Sequence, residues 1–198
     1  MGIFEGNQRG GEDKNLTFDQ VKAKYEGRVF NLILRLIGLE NQPDAEDLTL
    51  QTFINAWRAW GSFRHDTRAS TWLYVIASNL VKNWYKQQGK QRERDSYSLD
   101  DGFEGDSGEL TRDIPDWSEF PEKLLLDTEF QEKLTEALNA LPAESRHILV
   151  LTLWEELSYE EIGKIIGVSV PGVKSRVHRA RNKLRKRLEP YYRIWITR

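Results

Sequence analysis

Residues 157 to 188 read LSYEEIGKIIGVSVPGVKSRVHRARNKLRKRL, and they predict two helices joined by a tight turn. Ser158 can cap the first helix, and Glu161 three residues later completes a capping box. Gly167 is placed to end that helix, and Ser169 can cap the next one. A short helix, a glycine turn and a basic second helix are together typical of a helix-turn-helix.

The second of these helices has one apolar face and one basic face. The charged face of an isolated helix usually serves only to keep it solvated. Here the acidic residues that would pair at i,i+4 spacing are missing, so we expect a recognition helix in the major groove of DNA. Its first half would reach base edges, while later Arg and Lys side chains would reach phosphates. The apolar stripe comprises Val173, Val177, Ala180, Leu184 and Leu188.

Charge is distributed unevenly along the chain. The net charge is only −2, yet residues 172–198 contain ten Lys or Arg and the single acid Glu189. Residues 95–127 contain eleven acids and two basic residues. This asymmetry indicates that one segment meets a polyanion while another stays away from it or covers it.

Composition limits the class of protein. Apolar residues make up 39% and charged residues 30% of the 198 positions, and seven Trp, seven Tyr and eight Phe favour a folded, soluble chain. The absence of cysteine excludes disulfides and cysteine-ligated zinc. We find no apolar signal segment in residues 1–15 and no stretch of membrane-spanning length, so we expect a cytoplasmic protein without membrane insertion.

Three amphipathic helices are predicted before the acidic segment. The first covers residues 18–37, the second runs from a start at Pro43 and Asp44 to about Trp60, and the third lies within residues 71–92. Asp44 is expected to cap the second helix. Four residues of that helix repeat at helical spacing and are interpreted mainly as core: Phe53, Ala56, Trp57 and Trp60.

The predicted fold is therefore all-α, with two small helical domains joined by a flexible acidic linker and a helix-turn-helix in the second domain. The Gly, Ser, Asp and Pro content of the acidic segment, without a sustained period, indicates a linker. The predicted divisions are an N-terminal tail 1–17, a first domain 18–94, a linker 95–127, a second domain 128–189 and a C-terminal tail 190–198.

Two blocks of the chain together resemble the bacterial RNA polymerase sigma factors of the extracytoplasmic-function group, within the sigma-70 family. Residues 44–92 read DAEDLTLQTFINAWRAWGSFRHDTRASTWLYVIASNLVKNWYKQQGKQR. Residues 141–188 read LPAESRHILVLTLWEELSYEEIGKIIGVSVPGVKSRVHRARNKLRKRL. The order of the blocks and the acidic linker between them match that group, and the resemblance covers roughly residues 18 to 189.

The resemblance implies a promoter-specificity subunit with no catalysis and no cofactor of its own. Its expected partners are core RNA polymerase, through the clamp helices of the largest subunit and the flap of the second, and promoter DNA. An anti-sigma protein that holds the chain inactive is implied as well. The first domain would dock on polymerase and open the −10 element, and the second would read the −35 element.

Positions carried over from the group give three sets of site residues. The polymerase-binding set is Asp44, Asp47, Leu48, Gln51 and Asn55. The −10 set, which includes a loop that captures a flipped base, is Phe63, Arg64, Trp72, Asn79, Lys82, Asn83 and Lys86. The −35 set is Lys174, Ser175, Arg176, His178 and Arg179. Helix capping also accounts for Asp47, and Trp72 fits a place in the core equally well.

Two other classes of function compete with this interpretation. A two-domain regulator could bind an operator through the same helix-turn-helix, but the first domain shows no βα alternation and no acidic pocket motif. A metal-dependent phosphoryl-transfer enzyme would need Asp44, Glu46 and Asp47 together. Residues 44 and 47 share a helix face that Glu46 does not, and no histidine stands at ligand spacing from them, so no metal site is predicted.

Overall fold

The computed structural model describes residue 13 and residues 15–89, 128–153, 155 and 157–196, and of residues 128–131 and 191–196 it describes the backbone only. Within these ranges the chain forms seven α-helices and no strand, so the predicted all-α class is confirmed. The predicted acidic linker 95–127 lies outside the described residues.

Three helices form the first domain: α1 (Phe18–Ile37), α2 (Gln42–Ala59) and α3 (Ala69–Gln87). Each of the three packs against the other two. Thr17 caps α1 through a capping box with Gln20, which fixes the start of the helix where the sequence predicts it. Short 3-10 turns, Leu39–Asn41 and Trp60–Ser62, lie at the two ends of α2.

Helix α2 differs from its prediction in two respects. It begins at Gln42 with Pro43 in its first turn, so Asp44 is a first-turn acid near the positive helix end and does not cap it. Phe53 and Ala56 are buried as expected, whereas Trp57 is 61% exposed. The apolar residues of α2 therefore extend beyond the face of the helix that is buried.

Four helices form the second domain: α4 (Thr128–Asn139), α5 (Ala143–Leu153), α6 (Tyr159–Ile166) and α7 (Val170–Ile196). The helix-turn-helix consists of α6 and α7. Ser158 and Glu161 form the predicted capping box at the start of α6. Gly167 ends that helix with a φ of 78°, a left-handed conformation that glycine adopts without steric cost.

Helix α7 extends further than predicted. It continues through Pro190 to Ile196, so the backbone of most of the predicted tail 190–198 prolongs this helix. Proline removes one backbone donor and strains the preceding turn, but its φ is compatible with a helix.

The two domains pack directly against each other. Helix α6 of the second domain lies on α3, and α5 lies on α1. Their buried apolar side chains belong to one continuous cluster, which the predicted division into two separate domains did not anticipate. Several buried polar groups also cross this contact, and they are described below.

The turn between α6 and α7 leads to a stability prediction at Gly163. A Cβ at this position would lie 2.7 Å from the backbone oxygen of Val168, too close for the turn to stay unchanged. We expect Gly163→Ala to lower the free energy of unfolding by about 1–3 kcal/mol, as overpacking does.

Gly27→Ala provides the matched control, because a Cβ there meets nothing within 4 Å and α1 should gain about 1 kcal/mol in helix propensity. Urea denaturation followed by circular dichroism measures both variants. Equal stability of the Gly163→Ala variant and the wild type would contradict a close turn.

Candidate nucleic-acid and protein interfaces

One face of α2 carries the polar residues predicted to meet a protein partner. Asp47, Gln51 and Asn55 are exposed and follow one another at four-residue steps, so their side chains line one side of the helix. Asp44 is half-buried at the start of this line. Leu48 is only 7% exposed and belongs to the core, and its place in the predicted binding set stays a prediction.

Beside this polar line runs an exposed apolar stripe that the sequence analysis missed. Leu50, Ile54 and Trp57 are 57%, 41% and 61% exposed and lie at steps of four and three residues. The Trp57 ring packs edge-on against Phe18, at 5.1 Å between ring centroids, which fixes its position at the surface. A second apolar stripe beside the buried face of α2 was the sequence signal, because a one-sided surface helix needs only one such stripe.

An aromatic cluster joins the end of α2 to the start of α3. Phe63 stacks on Trp72 with ring centroids 4.7 Å apart, and Trp60 lies within 6.0 Å of both rings. Phe63 is buried and Trp72 is half-buried, so these two predicted site residues also support the local core. Arg64 between them is exposed.

His65 is a strained residue within this cluster. Its backbone φ is 55°, in the left-handed region that residues other than glycine rarely adopt. The ring lies 4.5 Å from Phe63 and 5.6 Å from Trp60, and its buried Nδ1 atom has no hydrogen-bond partner. Strain of this kind marks the loop as a candidate functional site.

Asp13 anchors this loop from the N-terminal segment. Its carboxylate accepts hydrogen bonds from the hydroxyl of Tyr25, the ammonium of Lys24 and, at 3.2 Å, the backbone N–H of Ala69 at the start of α3. Burial alone would raise the pKa of Asp13, but these donors hold it below its ordinary value. Residue 13 therefore belongs to the folded domain, although the sequence suggested a tail.

The exposed side of α3 carries three of the predicted DNA-binding residues. Asn79, Asn83 and Lys86 are exposed and lie at steps of four and three residues. Lys82 is half-buried, and its desolvation lowers its pKa below the ordinary lysine value, although Glu144 of the second domain acts in the opposite direction. The four predicted residues are thus not equivalent, because Lys82 faces the second domain.

The first turns of α7 present the other predicted DNA-binding set. Lys174, Ser175, His178 and Arg179 are exposed, whereas Arg176 is half-buried and forms an ion pair with Glu144 of α5. A small cleft lies between α5 and α7 beside this pair. It is lined by Glu144, Ser145, Ile148, Arg176, Arg179 and Lys183.

The described part of the chain contains no cluster of three or more His, Asp or Glu side chains that could hold a metal ion. None of the helices in the same ranges is long and apolar enough to cross a membrane.

Comparison with known families matches both helical units. Residues 22–91 match region 2 of the sigma-70 family, and residues 131–184 match region 4. The sigma-H factor of RNA polymerase from Pseudomonas aeruginosa is 35% identical over 96% of this chain and 94% of its own length. The chain belongs to the sigma-70 family, in its extracytoplasmic-function group. It is an alternative sigma factor that directs promoter-specific transcription.

Other relatives of this sigma factor align with it over most of its length. The extracytoplasmic-function sigma-E factors of Haemophilus influenzae and Escherichia coli are 30% and 31% identical, over 88% and 89% of the chain. Among solved structures, the sigma factor RpoE of Bartonella quintana, in complex with the anti-sigma factor NepR, is 27% identical. It aligns with a TM-score of 0.59 over 87% of this chain and 96% of its own.

CnrH, solved in complex with the cytosolic domain of CnrY, is 25% identical with the same TM-score. That alignment covers 93% of this chain and 91% of CnrH. The likeness extends over both domains in each of the two structures.

The contact between the two domains of the sigma factor centres on Arg146 of α5. One guanidinium nitrogen donates to the carbonyl of Leu36, at 2.9 Å, and to the hydroxyl of Tyr85, at 3.2 Å, both in the first domain. The other donors reach backbone carbonyls of the second domain at the end of α4, those of Leu138, Asn139 and Leu141. Arg146 thus binds the C-terminal carbonyls of α1 and α4 together.

Further polar pairs line the same contact. His147 Nε2 and Ser78 Oγ lie 3.0 Å apart in a fully buried site, and Tyr74 donates to the carboxylate of Glu155. Burial, together with the positive charge of Lys82, lowers the pKa of His147 to about 3, so its ring is neutral there. Burial and the hydrogen bond to Glu155 raise the pKa of Tyr74 above its ordinary value.

No local sequence pattern identifies these residues as a contact. Histidine, tyrosine and serine on amphipathic helices are equally compatible with a local core or a solvated edge, and only the packing of the domains brings the partners together. The one sequence signal of a buried polar role was the charged residue Arg146, two positions before the apolar run ILVL.

Proposed function

We propose that this sigma factor uses three separate surfaces to bind polymerase and the two promoter elements. The exposed face of α2 binds core RNA polymerase, the loop and outer face of α3 open the −10 element, and the first turns of α7 read the −35 element. The observation that carries the proposal is the helix-turn-helix of α6 and α7, whose second helix presents an exposed basic face.

The α2 surface has the chemistry of a protein interface. Leu50, Ile54 and Trp57 offer exposed apolar area beside the polar line of Asp47, Gln51 and Asn55. Interfaces combine apolar and aromatic anchors with a polar rim, and a patch of this kind on a soluble helix indicates a binding partner. We assign the clamp helices of the largest polymerase subunit to this surface and the flap of the second subunit to the second domain.

The −10 surface has a site suited to an unstacked base. Flipping a base costs a few kcal/mol, which stacking and polar contacts to the base must offset. The cluster of Trp60, Phe63 and Trp72 provides aromatic faces, and Asn79 and Asn83 supply amides that can donate to and accept from base edges. Lys86 is placed to follow the backbone phosphates.

The −35 surface combines base-reading and phosphate-binding groups. Lys174, Ser175, His178 and Arg179 lie in the first turns of α7, where a recognition helix meets base edges. Arg and Lys further along the helix are placed to contact phosphates. Arg176, which is paired with Glu144, is the least accessible member of the predicted set.

An anti-sigma protein is the regulatory partner that the comparisons suggest. The similar sigma factor RpoE of Bartonella quintana was solved in complex with the anti-sigma factor NepR, and the similar CnrH was solved with the cytosolic domain of CnrY. We propose an anti-sigma partner for this chain. The chain itself would act in the cytoplasm as a noncatalytic initiation factor without a cofactor.

Transcription in a purified system tests the proposal as a whole. Core polymerase with this chain should initiate at promoters recovered by mapping the start sites that appear on overexpression. A two-domain regulator would instead change transcription only when another sigma factor is present. Failure to start transcription with core polymerase alone would contradict the assignment.

The docking surface gives a prediction that uses two leucines of equal exposure. Leu50→Ser should weaken the binding of core polymerase about 10-fold, because it removes on the order of 1.5 kcal/mol of apolar burial. Leu39→Ser changes a leucine of similar exposure, 56% against 57%, outside α2 and should bind core normally. A pull-down titration measures both. Equal loss in the two variants would remove α2 from the docking surface.

A second prediction separates melting from docking at Asn79. The Asn79→Ala variant should bind core polymerase but lose open-complex formation on duplex promoters, because the amide no longer holds the separated strand. A template mismatched across the −10 element should restore activity in part, since it is already melted. Permanganate footprinting of the promoter follows strand opening, and Gln87→Ala at the end of the same helix is the control. No rescue on the mismatched template, together with weaker core binding, would place Asn79 in the fold or the docking surface.

A third prediction distinguishes base reading from phosphate contact on α7. Arg179→Ala should cost about 1–3 kcal/mol in discrimination between the cognate and a mutated −35 element, if its guanidinium reads a base. Lys186→Ala should weaken binding to all sequences alike and reduce the salt dependence. Initiation assays on paired promoters across a salt series measure both effects. Unchanged discrimination in the Arg179→Ala variant would exclude base reading at this residue.

A further inference from the structure

We propose that Asp13 is a positioning residue for the opening of the −10 element. Its carboxylate supplies a cap that the residue before α3 does not provide. In this way Asp13 holds Trp72 and the loop before α3 in the shape that receives an unstacked base. The inference rests on the proposed assignment of the −10 surface, and it adds to that surface a residue from outside it.

Helix α3 begins without the kind of cap that other helices of this chain have. Its N-cap residue Arg68 has an extended backbone, with a ψ of 144°, but the Arg68 side chain makes no capping hydrogen bond, and the first turn contains no acid. Helices α1 and α6 begin with complete capping boxes at Thr17 and Ser158. The first four N–H groups of a helix have no partner within the helix, so the start of α3 needs an acceptor from elsewhere.

The start of α3 is also shielded from water. Ala69, Ser70 and Thr71 are all buried, so solvent is a poor substitute for a protein acceptor at these residues. A buried backbone donor without an acceptor is costly, because it loses its hydrogen bonds to water and gains none in return. This place in the fold therefore favours an acceptor that is itself buried and fixed in position.

Asp13 meets that requirement from a point 56 residues earlier in the chain. It is 3% exposed, and its carboxylate accepts a hydrogen bond from the backbone N–H of Ala69 at 3.2 Å. Burial opposes its charge, but the hydrogen bonds it accepts hold its pKa below the ordinary value, so it is charged near pH 7. A negative charge at the positive end of a helix is stabilising. Helix α3 thus receives from Asp13 both an acceptor and the charge that its own first turn lacks.

Two side chains of α1 fix the position of Asp13. The ammonium of Lys24 donates to the carboxylate at 2.9 Å, and the hydroxyl of Tyr25 donates to it at 3.0 Å. Tyr25 is buried in the core of the first domain, so its hydroxyl has little freedom to move. The carboxylate is therefore located by α1, and it fixes the start of α3 relative to α1.

The start of α3 in turn fixes the aromatic cluster of the proposed −10 surface. The backbone N–H of Trp72 donates to the carbonyl of Arg68 at 3.2 Å, which closes the first turn of the helix. Trp72 stacks on Phe63, and Phe63 contacts the ring of His65. The left-handed φ of His65 persists only where surrounding contacts impose it. A shift of the first turn of α3 would therefore move Trp72 and loosen the whole loop.

Preorganisation explains why Asp13 affects the capture of a base as well as stability. A binding site that is already ordered avoids the free-energy cost of becoming ordered when the ligand binds. Without its cap the first turn of α3 frays more often, and an unstacked base must order it again. The proposed polymerase and −35 surfaces lie on α2 and α7 and do not include Asp13 or its partners, so we expect both to keep their affinities.

Fluorescence of 2-aminopurine tests the inference in the holoenzyme formed from core polymerase and the full chain. The probe is placed in the single-stranded −10 segment of a fork template, where its emission changes when the base leaves the DNA stack. Asp13→Ala should bind this template about 10-fold more weakly, equivalent to about 1.4 kcal/mol, and should give a smaller emission change at saturation. Binding of core polymerase and of a duplex with only the −35 element should be unchanged. Asp19→Ala, which removes an exposed acid from the first turn of α1, is the matched control and should behave as wild type.

Two further variants separate positioning from stability. Asp13→Asn keeps an oxygen that can accept from Ala69, so it should recover most of the emission change. Tyr25→Phe keeps the ring but removes one support of the carboxylate, so it should give a smaller loss in the same direction. A merely structural role would lower the melting temperature, followed by circular dichroism, and leave the emission change intact wherever the variant is folded.

The outcomes that overturn the proposal are defined by these variants. A folded Asp13→Ala variant with the affinity and emission change of the wild type would overturn it. An Asp13→Asn variant as defective as Asp13→Ala would exclude the hydrogen bond to Ala69 as the route. If Asp13→Ala does not fold, a folded Tyr25→Phe variant with an unchanged response would overturn the proposal in its place.

Trp72→Ala distinguishes failure of this inference from failure of the proposed −10 surface. If that surface is correctly assigned, this variant loses the emission change while it remains folded. A loss in Trp72→Ala together with a wild-type response in folded Asp13→Ala would overturn the positioning role alone. A wild-type response in Trp72→Ala would overturn the −10 assignment itself, and the positioning role with it.

Discussion

The guanidinium of Arg146 is the interaction on which the arrangement of the two domains depends. It supplies donors to the last carbonyls of two helices from different domains, which have no partners within their own helices. A buried cation without a carboxylate is costly unless its donors are satisfied. Here the partial negative charge at two helix ends compensates it, so the α1–α5 contact is specific in direction as well as in position.

The surfaces of this sigma factor follow from how each helix divides its faces. In α2, a buried face of Ala45, Thr52 and Phe53 leaves an adjoining side exposed with Leu50 and Trp57, so the same helix supports the core and presents apolar area outward. In α7, the buried stripe includes Val173 and Val177, and the basic residues remain on the exposed side. Each surface is therefore carried by a rigid helix whose orientation the core determines.

The loop between α2 and α3 is held differently. Its aromatic rings pack on one another, His65 adopts a left-handed conformation, and Asp13 fixes the start of α3 from a segment 56 residues earlier in the chain. Such a loop keeps a defined shape without regular structure, since several independent contacts determine it. Its polar and aromatic groups can thus be preorganised for a ligand, and the strain at His65 is sustained by the surrounding contacts.

The amino-acid sequence by itself determined the helices and their type, because the signals involved are local. The capping boxes at Thr17 and Ser158 and the glycine turn at Gly167 each lie within a few residues of what they control, and the apolar stripe of α7 follows the helical period. The basic face of α7 was equally visible, since charge can be counted along the chain.

Only the tertiary structure decided which face of α2 is free, that Leu48 is buried, that Asp13 belongs to the fold, and that Ser78 meets His147 across the domain contact. These facts depend on groups separated by tens of residues. Their pairing is fixed by shape and by the need to satisfy buried polar atoms, and no local pattern encodes it.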